Sequence, residues 1–135
     1  MELNWGHEIR LSQSTYARQT LEKFYSMDCK PAETPAVKIQ IDPQDTDLVS
    51  PDIPFRGALG SLLWISGNTR PDICYAVNQV CRVAHKPTKA AWAAVIRIFR
   101  YLRGTLEFAL FTRGSRIAMR RLIWIRIGQV TSLLE

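Results

Sequence analysis

The sequence predicts a mainly α-helical domain with one or two short β-strands, an α+β arrangement, and three observations carry that prediction. Apolar residues recur at three- and four-residue spacing through 17–25, 59–65, 73–84 and 91–102, the period of one helix face. Strand signals are confined to two short runs, Glu8 to Leu11, which alternates polar and apolar, and Glu107 to Thr112. Five of the seven prolines crowd into 30–54, where neither a helix nor a central strand persists.

Taken in order, the strand at Glu8 to Leu11 leads into a helix that Ser12 is placed to cap. Ala17, Leu21, Phe24 and Tyr25 make its apolar face, and it should end near Ser26 to Asp28. Residues 30–54 read as a long irregular connector, which either drapes over a surface or is disordered. Phe55 to Ser66 reads as a helix with Leu59, Leu62, Leu63 and Ile65 inward and with Gly57 and Gly60 kept for close approach of another backbone. Thr69-Arg70-Pro71-Asp72 is a helix start: Thr69 as cap, proline in the first turn, and Asp72 three residues on as a variant capping box. Ile73, Ala76, Val77, Val80, Val83 and Ala84 continue it to His85. Pro87 and Thr88 then start a last helix through Arg103, with Ala91, Val95, Ile98 and Leu102 as its stripe. Gly104 is placed as a left-handed C-terminal cap.

At 135 residues and 47% hydrophobic, the chain has one domain's length and enough apolar surface for a core. A formal charge of +6 favours an anionic partner, most simply nucleic acid. Three cysteines, Cys29, Cys74 and Cys81, argue against a disulfide framework and for a reducing, intracellular compartment. No apolar run reaches the ~20 residues of a membrane span, so no membrane function is expected.

Several motifs stand in a fixed order: Ile9-Arg10-Leu11-Ser12-Gln13 with Tyr16, Leu21-Glu22-Lys23-Phe24, Thr34-Pro35, Pro54-Phe55-Arg56, Gly60-Ser61-Leu62-Leu63-Trp64, Thr69-Arg70-Pro71-Asp72-Ile73, and Arg100-Tyr101-Leu102-Arg103-Gly104-Thr105. Together they resemble the Pol polyprotein of copia-type LTR retrotransposons, from about Ile9 to about Phe111, in the C-terminal part of the reverse transcriptase before RNase H. Four segments are then expected. Residues 1–29 are the end of a palm-like segment and the first helix, 30–54 the connector, and 55–114 a helical thumb- or connection-like region. Residues 115–135 form an out-of-frame or unstructured tail. The codons permitted for Leu122 to Ser132 allow a one-base-shifted reading, D-M-D-T-D-W-A-G-D-F, similar to the family's RNase H start. The resemblance also places the polymerase carboxylates, a Y-V-D-D hairpin, upstream of Met1. Magnesium would serve the intact parent and no cofactor is expected in this chain. Where the family often has His before Trp92, this sequence has Ala91.

The resemblance implies an RNA-directed DNA polymerase fragment that contacts template–primer nucleic acid without catalysing alone. The expected contacts are Arg70, Lys89, Arg97, Arg100 and Arg103, phosphate-directed and indifferent to sequence. Read as residues only, the last four are a solvated helix face with cations near the C-terminus, Arg70 and Asp72 are a cap and a surface charge, and Trp64 and Trp92 pack in helices rather than stack on bases. Cys81 and His85 have metal-ligand spacing without a second pair; Cys74 and Cys81 read as small core residues. A retained nucleic-acid-binding module and a non-functional pseudogene product are the other readings.

Overall fold

The computed structural model describes residues 2–4, 8–24, 29–36, 42, 44 and 46–113. Strands β1 (Glu2–Asn4) and β2 (Glu8–Ser12) precede helix α1 (Ser14–Phe24); α2 (Phe55–Asn68) follows the connector. A 3-10 turn, Pro71–Ile73, then opens α3 (Cys74–Cys81), and α4 (Lys89–Gly104) and β3 (Leu110–Arg113) complete the order. The mainly helical α+β prediction holds. The strands form one antiparallel sheet in the order β1-β2-β3, with Leu3 opposite Leu11 and Leu11 opposite Leu110. β1 was not foreseen, since three residues carry no period.

One core joins the helices. Leu21 of α1, Leu62 and Ile65 of α2, Val77 and Val80 of α3, and Ile98, Phe99 and Leu102 of α4 are essentially inaccessible. Each such side chain contributes about 1.5–3 kcal/mol on burial. Helix α1 shares this core with α2, α3 and α4, and β1 and β2 share the sheet with β3.

Four local expectations are corrected. Leu63, expected inward, is 44% exposed: the buried stripe of α2 runs Phe55, Ala58, Leu59, Leu62, Ile65 and Ser66, and a 3.6-residue turn carries Leu63 and Trp64 off it. Gly57 faces the Phe24 ring rather than a backbone, and a methyl at Gly60 would meet nothing within 4 Å. Thr69 does not cap the next helix; its hydroxyl donates to Gln13 Oε1 at 2.8 Å, fixing the end of α2 to the start of α1. No described glycine has a positive φ, so Gly104 is a helical residue and not a left-handed cap. Its missing Cβ instead makes room for Pro31, whose own Cβ would lie 3.0 Å away.

Helix α3 is also shorter than its apolar period, because residues 82–86 wind into tighter turns such as Val83 N–H to Val80 O ahead of Pro87, which disfavours α geometry before it. Ser12 Oγ does accept from Ser14 N–H, at 3.4 Å. Thr88 caps α4 as expected, its hydroxyl accepting from Ala91 N–H at 3.2 Å. α1 ends at Phe24; the predicted end at Ser26 to Asp28 and the predicted tail at 115–135 lie outside the described residues.

Candidate nucleic-acid interface

At 3.6 residues per turn, Lys89, Arg97, Arg100 and Arg103 fall within about 120° of one another on α4, opposite the buried stripe. The sequence had placed these together, and the helix brings them to one face. Their partners were not foreseen. Lys89 Nζ stands 2.9 Å from Asp47 Oδ1, Arg97 Nη2 donates to the Thr34 hydroxyl at 3.0 Å, and Arg100 Nε donates to the Lys30 carbonyl at 2.7 Å. All three partners belong to the connector, whose described parts therefore touch α4 near both of its ends. Arg103 pairs with no group among the described residues.

Arg70 is elsewhere, and buried: its side chain is 6% exposed. Nε and Nη2 donate to Asp72 Oδ1 and Oδ2 at 3.0 and 2.8 Å. Nη1 and Nη2 donate to the Thr105 carbonyl and hydroxyl at 2.9 and 2.6 Å. The guanidinium also lies over the Tyr101 and Phe108 rings, at 5.6 and 5.3 Å. It is neither a surface charge nor open to a phosphate; it locks the turn before α3 to the end of α4. Tyr101 closes the lock by donating its hydroxyl to Asp72 Oδ2 at 2.8 Å. Burial pushes the Asp72 carboxyl up, but the hydrogen bonds from Arg70 and Tyr101 and the Arg70 charge outweigh it, and the pKa lies below the ordinary value. Burial raises the Tyr101 phenol, and the bond to Asp72 adds to it.

The face that sequence reasoning missed is on α2. Arg56, Gly60, Leu63, Trp64 and Gly67 are all exposed and fall within about 100° of one another on the helix. Gly60 and Gly67 leave bare backbone in open space, and Trp64, expected to pack inward, is 48% exposed beside them. The signal was present in the sequence as glycines at seven-residue spacing opposite the apolar stripe. Trp92, by contrast, packs as predicted, 6.3 Å from the Phe55 ring.

Among the described residues, no group of three or more His, Cys, Asp or Glu side chains could hold a metal ion. Cys81 is half-buried, and burial together with neighbouring Cys74 pushes its thiol up, against the thiolate a metal requires. No described helix is long and apolar enough to cross a membrane.

The chain is 39% identical over 102 residues to an uncharacterized mitochondrial protein of Arabidopsis thaliana, covering 75% of this chain and 42% of that protein. It is 38% identical over 117 residues to the retrovirus-related Pol polyprotein from transposon TNT 1-94 of Nicotiana tabacum, covering 82% of this chain and 9% of the polyprotein. The Pol polyprotein from transposon RE2 of Arabidopsis thaliana is 34% identical over 115 residues, with 82% and 8% covered. The chain thus spans less than half of each of these relatives. No family model and no solved structure matches it.

Proposed function

The chain belongs to the retrovirus-related Pol polyproteins of copia-type transposons, of which it spans one segment, and from that premise we propose that it is the helical, thumb-like part of the reverse transcriptase, which grips template–primer duplex and does no chemistry alone. The observation that carries this reading is the solvent face of α2. Sequence-independent grip on a duplex needs close approach, a flat apolar contact and a cation, with no carboxylate in the way. Gly60 and Gly67 allow a sugar edge to reach the helix backbone, Trp64 and Leu63 flank them, Arg56 supplies the charge, and no acidic residue shares the face. The net charge of +6 supports the same partner. The cations of α4 form a second surface; Arg70 serves the fold and not the contact.

Fluorescence anisotropy with a labelled RNA–DNA hybrid tests this. Binding should weaken linearly in log–log salt plots and be equal for a scrambled sequence. Trp64→Ala and Gly60→Leu should each weaken it by about tenfold with the fold retained. Binding that ignores salt, or that both variants leave unchanged, overturns the reading. Nucleotide incorporation on a primed template by the purified chain overturns the non-catalytic part.

A further inference from the structure

Three of the four cations on the exposed face of α4 are already held by the chain's own connector. Ala32 N–H donates to the Arg100 carbonyl at 3.2 Å, Lys89 N–H to the Asp47 carbonyl at 2.9 Å and Val49 N–H to the Pro87 carbonyl at 3.0 Å. These anchor the described parts of the connector at both ends of the helix. Side-chain contacts to Asp47, Thr34 and the Lys30 carbonyl add to them. We propose that the connector is a displaceable strap, and that a nucleic-acid phosphate backbone reaches Lys89, Arg97 and Arg100 only when the strap lifts. The inference rests on the proposed function and adds a regulation to it.

The strap satisfies its cations incompletely. Of three acceptors only Asp47 is charged, and that pair is open to water, its side chains 65% and 63% exposed, where an ion pair is weak and screened by salt. Arg97 meets a neutral hydroxyl through Nη2, while its Nε is buried with no partner among the described residues. A phosphate presents two charged oxygens to the arginine fork, so Nε and Nη2 would both be satisfied by stronger, charge-assisted bonds. Exchange of the strap for phosphate thus improves the bonding of each cation. Among its described residues the strap has neither helix nor strand beyond the single bridge from Leu48 to Thr88, so lifting it unwinds no helix and opens no sheet, and uncovers only Ala32 and the Ala36 side chain at the edge of the core.

The test is a cross-link that leaves every cation in place. An ideal Cβ at Gly104 lies 3.0 Å from Pro31 Cβ, so an outward shift of under ~1 Å brings the pair to the ~3.8 Å of a disulfide. In a full chain with Cys29, Cys74 and Cys81 changed to Ser, Pro31→Cys with Gly104→Cys pins the strap when oxidised and frees it when reduced. The reduced form should bind the RNA–DNA hybrid about tenfold more tightly, with a salt slope steeper by roughly two to three. As a second variant, Asp47→Asn should tighten binding more than Asp52→Asn, which makes the same charge change at a residue that bonds Ser50. Equal affinity of oxidised and reduced forms, with equal effects of the two Asp variants, overturns the strap alone. Absence of binding by every form removes the proposed function and the strap with it.

Discussion

Arg70 holds Thr105 by two hydrogen bonds at once, Nη1 to the carbonyl at 2.9 Å and Nη2 to the hydroxyl at 2.6 Å. The Thr69-Arg70-Pro71-Asp72 and Arg100-to-Thr105 motifs, distant in sequence, are therefore two halves of one structural lock. Thr105 is itself fixed by donating its hydroxyl to the Tyr101 carbonyl at 2.8 Å, and Tyr101 donates in turn to Asp72.

Removing the Arg70 guanidinium should cost more than any other single polar change among the described residues. Arg70→Ala leaves the Thr105 carbonyl and the Asp72 carboxylate without their main donor. The expected loss is about 2–4 kcal/mol, the lower end reflecting the access of water to Asp72. Arg70→Lys should recover little of it, because an ammonium cannot reproduce the fork. Urea unfolding midpoints measure both; a loss below ~1 kcal/mol for Arg70→Ala would show that the lock is decorative.

The same lock gives the stability a dependence on acid. The folded-state pKa of Asp72 lies below its ordinary 3.8, so its stabilisation is present above that value and is lost as pH falls from there through the folded pKa. The unfolding midpoint should decline across that window more steeply in the natural chain than in Asp72→Asn. Parallel declines would mean that other carboxylates carry the acid sensitivity.

Two glycines should respond oppositely to alanine. At Gly60 nothing lies near the added methyl, and Gly60→Ala should stabilise the chain by about 0.5–1 kcal/mol through helix propensity. At Gly104 the methyl would press on Pro31, which is held on either side by Lys30 O and Ala32 N–H bonded to Arg100. Gly104→Ala should therefore destabilise by about 1 kcal/mol. Thermal melts of the two variants decide it. A stabilised Gly60→Ala that binds duplex less well would separate the stability of α2 from its function.

Loss of the α4 cap should be felt globally, because α4 carries six core residues. Thr88→Ala removes the acceptor for Ala91 N–H and should cost about 1 kcal/mol, a shift of several degrees in a domain of this size. Thr88→Ser should keep most of it. Equal melting of both variants would mean that the backbone alone holds the start of the helix.

The sequence by itself determined the helical stripes, the strands at Glu8 to Leu11 and near Thr112, the cap at Thr88, the irregular connector and the family. Each of these is local or nearly so: a 3.6-residue period, a proline's missing N–H, a hydroxyl three residues before its donor, a string of motifs in order. Only the tertiary structure decided that Arg70 is buried, that Thr69 bonds Gln13 instead of capping, that Gly104 yields to Pro31, and that the cations of α4 already have partners in the connector. Those depend on which distant segments meet, and periodicity within one element carries no information about what lies across from it. The face of α2 lies between the two cases. Its glycines and tryptophan stand in the sequence opposite the apolar stripe, but only the packing of α1, α3 and α4 onto the other side shows that, among the described residues, this face is the exposed one.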